Sequence, residues 1–294
     1  MTAPDDLGFS IWARDALIAA IGPDGPVGLI PRTFDRYNDA AAARLLAEGI
    51  GLPVRRTDLA LQGGNMLVGR NFLILGSDMR PITRRGRVEL DRIADGRKPI
   101  WLGEGNYPEP EERRVTRNGS DWTEHLHFAR RNASRQPLFH VDLHVALAGS
   151  TADGRDRIVA GCPRLAAHLM GQELPDHALS EALDATAILL AEDGFEVWRC
   201  PLPYLPFDCS ESRTTTWIHL PYPNVWVEHD EQGGHVRLPA FAHESAPNMG
   251  AMDEAVASLW RHLGFRVTPI AGCLPLAENL GALNCMGNVL ARSA

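Results

Sequence analysis

The chain has 294 residues, of which 45% are hydrophobic and 22% are charged, and its formal net charge is -8. This balance allows a substantial buried core, and it argues against a nucleic-acid-binding surface, which needs clustered positive charge. An acidic protein is compatible with a cationic small-molecule substrate, although solubility alone would account for the charge equally well.

No stretch approaches the roughly 20 apolar residues of a membrane-spanning helix, so no membrane partner is expected. The first ten residues are acidic and lack the basic and apolar regions of a signal peptide. Five cysteines without C-x-x-C spacing do not make a disulfide framework. These features predict a cytoplasmic protein with reduced thiols.

The predicted elements repeat along the chain as a β-hairpin, an amphipathic helix and a further strand. In the first copy the hairpin covers 16–31 and turns at a Gly-Pro-Asp-Gly sequence, the helix covers 38–51 and the strand 52–59. Later copies are predicted at the following ranges: hairpin 65–76, helix 88–94 and strand 99–102; hairpin 139–148 with 157–162, helix 177–192 and strand 195–200; hairpin 224–228 with 235–239, a helix with Met252, Val256, Leu259 and Leu263 at helical spacing, and strand 265–270. Residues 281–291 are predicted as a fifth hairpin without a helix.

Such a repeat favours blades around an axis over a single wound sheet. The fold class predicted is α/β (α+β), a five-bladed β/α propeller with an abbreviated fifth blade. Five polar residues stand near the start of a hairpin's first strand, where rotationally related blades would bring them together: Asp15, Asn65, His140, Asn224 and Cys285. The alternative is a loose alternation of hairpins and helices, which many α/β proteins show.

His140 and Asp142 are two residues apart in an apolar stretch that predicts a strand, so their side chains are expected on one face together with His144. Polar groups there are costly unless they are paired or functional. A buried His–Asp pair is one interpretation. Metal ligation by these three residues is another, and His125-x-His127 is the best candidate for a second ligand cluster.

The other candidate positions are ambiguous when each is considered alone. Asp15 follows Trp12 in a short polar stretch typical of a solvated turn. Gly64 and Asn65 are compatible with a tight turn or with close backbone approach to a ligand. A free cysteine such as Cys285 is most often a small buried hydrophobe, and the four other cysteines are assigned to that role.

Taken together, four motifs in chain order resemble those of the guanidino-group-modifying superfamily, which includes agmatine, arginine and peptidylarginine deiminases and arginine amidinotransferases. The motifs are Trp12-x-Arg14-Asp15, Gln62-Gly63-Gly64-Asn65, His140-x-Asp142 and Leu283-Asn284-Cys285. The order of elements from 224 to 285 is also similar to that of the C-terminal region of agmatine deiminases.

The resemblance implies a pentein-type propeller, with 1–294 as one catalytic domain and the active site on its axis. It implies that Cys285 attacks a guanidinium carbon and that His140 protonates the leaving group and then activates water. Asp15 and Asp142 would hold the planar guanidinium through charge-assisted hydrogen bonds. Further substrate-binding positions implied in this way are Trp12, Gly64, Asn65, Asn224 and Asn284.

Three departures from the family pattern bear on the substrate. Gln62 replaces a glutamate common in relatives, and Asn284 precedes the cysteine where agmatine and peptidylarginine deiminases commonly have histidine. Only eleven residues precede Trp12, which suggests either an abbreviated fifth blade or an axis more open than in relatives. The departure at Asn284 indicates a substrate tail different from that of agmatine.

The function predicted is a deiminase that needs no cofactor or metal and converts the guanidinium of an arginine-like or agmatine-like molecule to a ureido group with release of ammonia. Amidino transfer to an amine and a catalytically inactive guanidinium-binding protein remain alternatives. Specificity is expected in two loops, 106–136 and 203–223, because loops select ligands. The first loop is rich in arginine, which is compatible with an acidic substrate tail or with solvation: Arg113, Arg114, Arg117, Arg130, Arg131 and Arg135. The oligomeric state is left open.

Overall fold

The computed structural model describes residues 8, 10–32, 37–60, 62–103, 111–126, 138–174, 177–230, 232–246 and 248–289. The chain divides into two compact units. Unit 1 comprises Met1–Leu102 and Asn284–Ala294, and unit 2 comprises Gly103–Leu283. Within the described ranges, no helix is long and apolar enough to cross a membrane.

Unit 1 opens with the short helix α1, Ala13–Ala16, and then forms the first predicted copy. Strands β1, Ile18–Gly22, and β2, Gly25–Ile30, make an antiparallel hairpin. Helix α2, Tyr37–Gly49, leads to strand β3, Val54–Arg56, which pairs in parallel with β2. The hairpin turns tightly because Gly25 adopts a φ of 115°, a conformation that disfavours any side chain.

The second copy of unit 1 has the same strand order. Strands β4, Met66–Val68, and β5, Phe72–Gly76, are antiparallel, and after helix α3, Arg84–Ala94, strand β6, Lys98–Leu102, runs parallel to β5. One apolar core joins the two copies, since Leu29 of the first packs in the same cluster as Leu75 of the second.

Unit 2 contains two further copies with the same order. The elements of the earlier copy are β9 Val145–Ser150, β10 Asp156–Cys162, α4 Pro163–Met170, α5 His177–Glu192 and β11 Glu196–Pro201. Those of the later copy are β14 Trp226–Asp230, β15 Gly233–Pro239, α6 Met249–His262 and β16 Arg266–Ile270. A core containing Trp260, Tyr222 and Phe241 packs both sheets of these copies together.

A fifth sheet of unit 2 corrects the expectation that 106–136 and 203–223 are loops. Two hairpins come from these regions: β7 Glu111–Arg117 with β8 Ser120–Leu126, and β12 Tyr204–Cys209 with β13 Thr214–His219. Strands β8 and β13 pair in parallel and give the order β12-β13-β8-β7. The strands were missed because β7 and β8 are rich in charge, β13 is rich in threonine and β12 contains a proline, so none shows a clear alternation of apolar and polar residues.

The predicted fifth hairpin at 281–291 is also wrong in its described part. After helix α7, Leu274–Glu278, the chain forms the one-turn helix α8, Leu283–Met286, and no strand through residue 289. Residues 290 and 291 lie outside the described ranges. Gly281 and Gly287 bound the helical turn, and the residues between them show no strand alternation.

The described residues therefore form five sheets, four of which share the predicted order of hairpin, helix and parallel third strand. In each of the four, the second strand lies in the middle of the sheet. The mixed α/β class and the repeat are confirmed. The five-bladed propeller and the single catalytic domain stay predictions.

Candidate active site

In unit 1, the first two motifs meet through backbone contacts. Asp15, on helix α1, is only 3% exposed, and its Oδ1 accepts a hydrogen bond from the Gly64 backbone N–H at 3.2 Å. The Arg14 Nε donates to the Gly63 carbonyl oxygen, also at 3.2 Å. Residues 49 apart in sequence thus position the carboxylate that sequence analysis assigned to guanidinium binding.

Glycine is required at position 63 for this contact. A Cβ atom at Gly63 would overlap the backbone oxygen of Arg14. The segment Gly63–Asn65 forms a 3-10 turn whose residues are all buried, and β4 follows it directly. The tight turn entering a strand, one of the two interpretations of the Gly-Gly step, is therefore confirmed, and the close approach observed is to the backbone of Arg14. Close approach to a ligand stays a prediction.

Asn65 is buried at the end of this turn, and its side-chain amide Nδ2 donates to Asp78 Oδ1 at 2.8 Å. Asp78 lies in the 3-10 turn Ser77–Met79 after β5. Sequence analysis did not single out Asp78, because nothing in a Ser-Asp-Met sequence marks it as the partner of a residue 13 positions earlier. Trp12, the first residue of the motif, is half-buried just before α1.

The predicted nucleophile lies in the C-terminal part of unit 1. Cys285 is 4% exposed on helix α8, and the preceding Asn284 is 9% exposed. Three residues after the cysteine, the Asn288 side chain donates a hydrogen bond to the Leu17 carbonyl oxygen, two residues after Asp15. This bond ties the cysteine-bearing segment to the segment that carries Asp15, and Asn288 is a second positioning residue that the sequence did not reveal.

In unit 2, His140 and Asp142 are deeply buried, at 2% and 1% exposed. The strand predicted for them is wrong: they lie at a 3-10 turn, Val141–Leu143, and β9 begins only at Val145. The backbone turns because Leu143 N–H bonds to the His140 carbonyl and His144 N–H to the Val141 carbonyl. Since every residue from 140 to 146 is buried, no polar face alternates with an apolar one.

Asn224, 82 residues later in the chain, is hydrogen-bonded to this turn. Its Nδ2 donates to the Asp142 carbonyl oxygen at 3.2 Å, and its Oδ1 accepts from the Ala282 N–H at 3.1 Å. Asn224 is fully buried, so both bonds are shielded from water. The structure thus gives Asn224 a positioning role between Asp142 and the residues that precede Cys285, and its substrate-binding role stays a prediction.

His144, proposed as a metal ligand in one alternative, is fully buried, and neither ring nitrogen makes a hydrogen bond of normal geometry to any described residue. Burial lowers its pKa to about 4, against a weaker opposing effect of the His140 backbone. Among the described residues there is no group of three His, Cys, Asp or Glu side chains that could hold a metal. His127 lies outside those residues.

The arginine-rich region 106–136 is only partly described, and Arg130, Arg131 and Arg135 fall outside the described part. Arg113, Arg114 and Arg117 lie on strand β7. The Arg117 guanidinium binds Glu124 at 2.5 Å and Asp208 at 3.0 Å, which joins β7 to β8 and β12. Arg117 therefore has a structural role in the four-stranded sheet and is not available for an acidic substrate tail.

No protein-family model and no curated protein matches this sequence. Solved structures do match it. The agmatine deiminase of Enterococcus faecalis superposes with a TM-score of 0.62 at 14% identity, over 94% of this chain and 73% of that one. The C. jejuni agmatine deiminase superposes with a TM-score of 0.60 at 15% identity, over 94% of this chain and 71% of that one. The chain has the agmatine deiminase fold.

Two related matches fit the same fold. A proposed peptidyl-arginine deiminase superposes with a TM-score of 0.60 at 12% identity, over 94% of this chain and 73% of that one. A cysteine-to-serine variant of the C. jejuni agmatine deiminase with substrate bound superposes with a TM-score of 0.58 at 13% identity, over 94% of this chain and 72% of that one. The structural part of the predicted resemblance to the guanidino-modifying superfamily is confirmed, and at these identities it is a likeness of fold.

Proposed function

We propose that this chain is a cysteine-dependent hydrolase that converts the guanidinium group of a small cationic substrate to a ureido group and releases ammonia. One observation carries the proposal: a chain with the agmatine deiminase fold contains, in order, four buried residues of the types the reaction needs, Asp15, His140, Asp142 and Cys285. In this proposal residues 1–294 act as one catalytic domain with five blades and no cofactor.

The proposed reaction has two halves. The Cys285 thiolate attacks the guanidinium carbon, and the C–N bond breaks as His140 transfers a proton to the departing nitrogen, which leaves as ammonia. The product of this half is an amidino group bound to the cysteine sulfur. His140 then removes a proton from water, whose oxygen attacks the same carbon. The C–S bond breaks, the ureido product leaves and the thiolate is restored.

The two carboxylates account for selectivity toward a cation. Asp15 and Asp142 are both at least 97% buried, and a buried carboxylate is costly unless positive charge or hydrogen bonds compensate it. A guanidinium is planar, stays protonated near neutrality and offers paired N–H donors that match carboxylate oxygens. The cationic substrate would also favour the thiolate form of Cys285.

The decisive experiment is to measure ureido product from a panel of guanidino compounds: agmatine, arginine, methylated arginines, guanidino acids and peptidyl arginine. Agmatine is included because two structural neighbours are agmatine deiminases, and the others because Asn284 indicates a different substrate tail. Cys285→Ala is expected to abolish product formation with the substrate that reacts. Full activity in that variant would refute the mechanism, as would a purified protein inactive toward the whole panel.

Cys209 provides a matched control for this experiment. It is an exposed free thiol of unit 2, and hydrogen bonding to Ser212 lowers its pKa, so it is the cysteine outside the proposed site most prone to nonspecific reaction. Cys209→Ser is expected to leave activity unchanged. By contrast, burial raises the pKa of Cys200 and of Cys273, which makes both thiols poor nucleophiles.

Covalent labelling separates an active site from an inactive guanidinium-binding protein. A haloacetamidine carries a guanidinium-like head, and we expect it to add one label per chain at Cys285, measured by intact mass and peptide mapping. The label should persist in Cys209→Ser and disappear in Cys285→Ala. Labelling confined to Cys209 would indicate an inactive site. If a new guanidino compound formed on addition of an amine, the activity would be reassigned as amidino transfer.

A further inference from the structure

A cavity of unit 1 concentrates positive charge in an otherwise acidic protein. The cavity holds about 580 Å³, within the usual range for small-molecule sites, and its lining includes five arginines and two carboxylates. The arginines are Arg55, Arg56, Arg84, Arg85 and Arg92. The local excess is three positive charges, although the whole chain carries -8. None of the residues assigned to catalysis lines this cavity.

The two carboxylates of the cavity are used to assemble it. Arg85 Nε lies 2.6 Å from an Asp58 oxygen, and the Asp58 N–H donates to Glu89 at 3.1 Å. Glu89 also lies 3.8 Å from Arg55. These contacts link the segment after β3 to helix α3. They leave Arg56, Arg84 and Arg92 without a salt bridge to any described residue, so three guanidinium groups remain available.

Tight packing fixes the two walls of the cavity relative to each other. Leu59 and Leu90 belong to the apolar core shared by the two copies of unit 1. A Cβ at Gly86 would come within 2.9 Å of Pro81 and 3.3 Å of Leu59, so glycine there lets the first turn of α3 approach the residues that follow β3. The arginines therefore project from a rigid frame, which lowers the entropic cost of holding a ligand.

The position of Arg84 on α3 argues against a purely structural role. Arg84 and Arg85 occupy the first turn of an eleven-residue helix that has no acidic residue there. The N-terminal end of a helix already carries partial positive charge, and although Asp58 compensates Arg85, the charge of Arg84 has no salt bridge to any described residue and is electrostatically unfavourable there in the absence of an anion. An anion at this end would instead gain from the helix and from the arginines together.

We propose that this cavity binds a small anion bearing a diphosphate or longer phosphate group, either free or as part of a nucleotide. Arginine forks match phosphate oxygens in a bidentate manner. A phosphate monoester carries about -2 at pH 7 and a diphosphate group carries more, which suits three available guanidinium groups. A single carboxylate would neutralise only one of them. The ligand is thus expected to be multivalent, and its binding to weaken with salt.

The test uses the full-length protein and inorganic pyrophosphate, with binding followed by isothermal titration calorimetry at low ionic strength. We expect saturable binding of one pyrophosphate per chain. Arg84→Ala and Arg56→Ala should each weaken it about tenfold or more, because each removes a charge-assisted hydrogen-bonding group. Arg87→Ala is the matched control, since Arg87 is exposed on the same helix and does not line the cavity. It should change the affinity by no more than about twofold.

Arg84→Glu separates a binding role from a structural one. Replacing a cation by an anion in the first helical turn should keep or raise the thermal stability of the free protein, because the helix end favours negative charge. The same change should abolish pyrophosphate binding. Loss of stability together with unchanged binding would overturn the proposal, as would equal weakening by Arg84→Ala and Arg87→Ala.

ATP and citrate resolve the source and class of the anion. Tighter binding of ATP than of tripolyphosphate, which has the same number of phosphates, would identify a nucleotide, and equal or weaker binding would identify a free polyphosphate, both within the proposal. Citrate binding tighter than pyrophosphate would overturn the phosphate assignment. So would absence of pyrophosphate binding combined with binding to vesicles containing anionic phospholipid, because the arginines would then serve a membrane surface.

Discussion

The backbone oxygen of Arg14 lies where a Cβ atom on Gly63 would stand, and the Arg14 side chain donates back to the Gly63 carbonyl. This mutual contact holds Gly64 where its N–H reaches the Asp15 carboxylate. The placement of a carboxylate proposed to bind substrate thus depends on the absence of a side chain 48 positions later in the sequence.

Gly63→Ala is expected to destabilise the protein by about 1–3 kcal/mol, because backbone atoms must move to admit the methyl group. Urea unfolding measures the change. Gly250→Ala is the control, since Gly250 lies in helix α6 with open space at its Cβ position, and alanine there should stabilise by about 0.5–1 kcal/mol. Equal unfolding midpoints for Gly63→Ala and wild type would contradict the packing described.

Asn224→Ala should cost about 1–3 kcal/mol, because it leaves the Asp142 carbonyl and the Ala282 N–H without their buried partner. We also expect the rate of ureido product formation to fall, since both bonds position residues beside the proposed catalytic groups. The exposed Asn279 bonds to a single backbone carbonyl, and Asn279→Ala should change stability by less than about 0.5 kcal/mol. A larger loss of stability in Asn279→Ala than in Asn224→Ala would be inconsistent with the positioning role of Asn224.

His144 is expected to make stability depend on pH. Its pKa is about 4 in the folded protein and 6.5 in an ordinary environment, so the unfolded chain binds a proton between these values that the folded chain does not. The contribution of His144 to the free energy of unfolding is therefore fully present above pH 6.5. It declines as the pH falls toward 4, by roughly 3 kcal/mol in total.

The measurement is the unfolding free energy of His144→Leu and wild type from pH 7 to pH 4. The unfolding free energy of His144→Leu should rise steadily relative to that of wild type as the pH falls, because leucine cannot take up a proton. His168→Leu is the control for replacing an exposed histidine, since His168 is exposed on α4, and the effect of His144→Leu is measured against it. Parallel pH profiles for wild type and His144→Leu would exclude a buried neutral imidazole.

Asp253, on helix α6, accepts three hydrogen bonds: from the Tyr222 hydroxyl at 2.5 Å and from the Phe241 and Ala242 N–H groups at 2.9 and 3.0 Å. Asp253→Asn replaces one accepting oxygen by a donor and should cost about 2–3 kcal/mol. The neighbouring Glu254 forms an exposed ion pair with Arg261, so Glu254→Gln should cost at most about 1 kcal/mol. Thermal unfolding of the two variants measures both losses of stability. Similar losses in Asp253→Asn and Glu254→Gln would contradict the role given to Asp253.

Local patterns in the sequence predicted the order of hairpin, helix and third strand in all four copies, although helix α4 and the turn at 141–143 were missed. Apolar periodicity and glycine turns act over a few residues, so they can be read from neighbouring positions without knowledge of distant contacts. The order of the candidate motifs was also read from the sequence alone, and the structure buries Asp15, His140, Asp142 and Cys285. Their joint action on one substrate stays a proposal.

Features that depend on distant contacts could not be predicted in this way. The pairing of β8 with β13 joins residues 91 positions apart, such as Thr123 and Thr214. Strand β8 carries charge on both faces and β13 carries threonine on both, so neither sequence indicates its partner. The apolar stretch around His140 and Asp142 predicted a strand, but two backbone hydrogen bonds close a buried 3-10 turn there, and an apolar sequence does not distinguish the two. Packing between separate segments likewise determines the contact of Gly63 with Arg14. It also determines the hydrogen bonds that Asn224 makes to Asp142 and Ala282. A residue's own sequence neighbours carry no information about such partners, because a buried backbone group takes its hydrogen bond from whichever segment the tertiary fold brings to it.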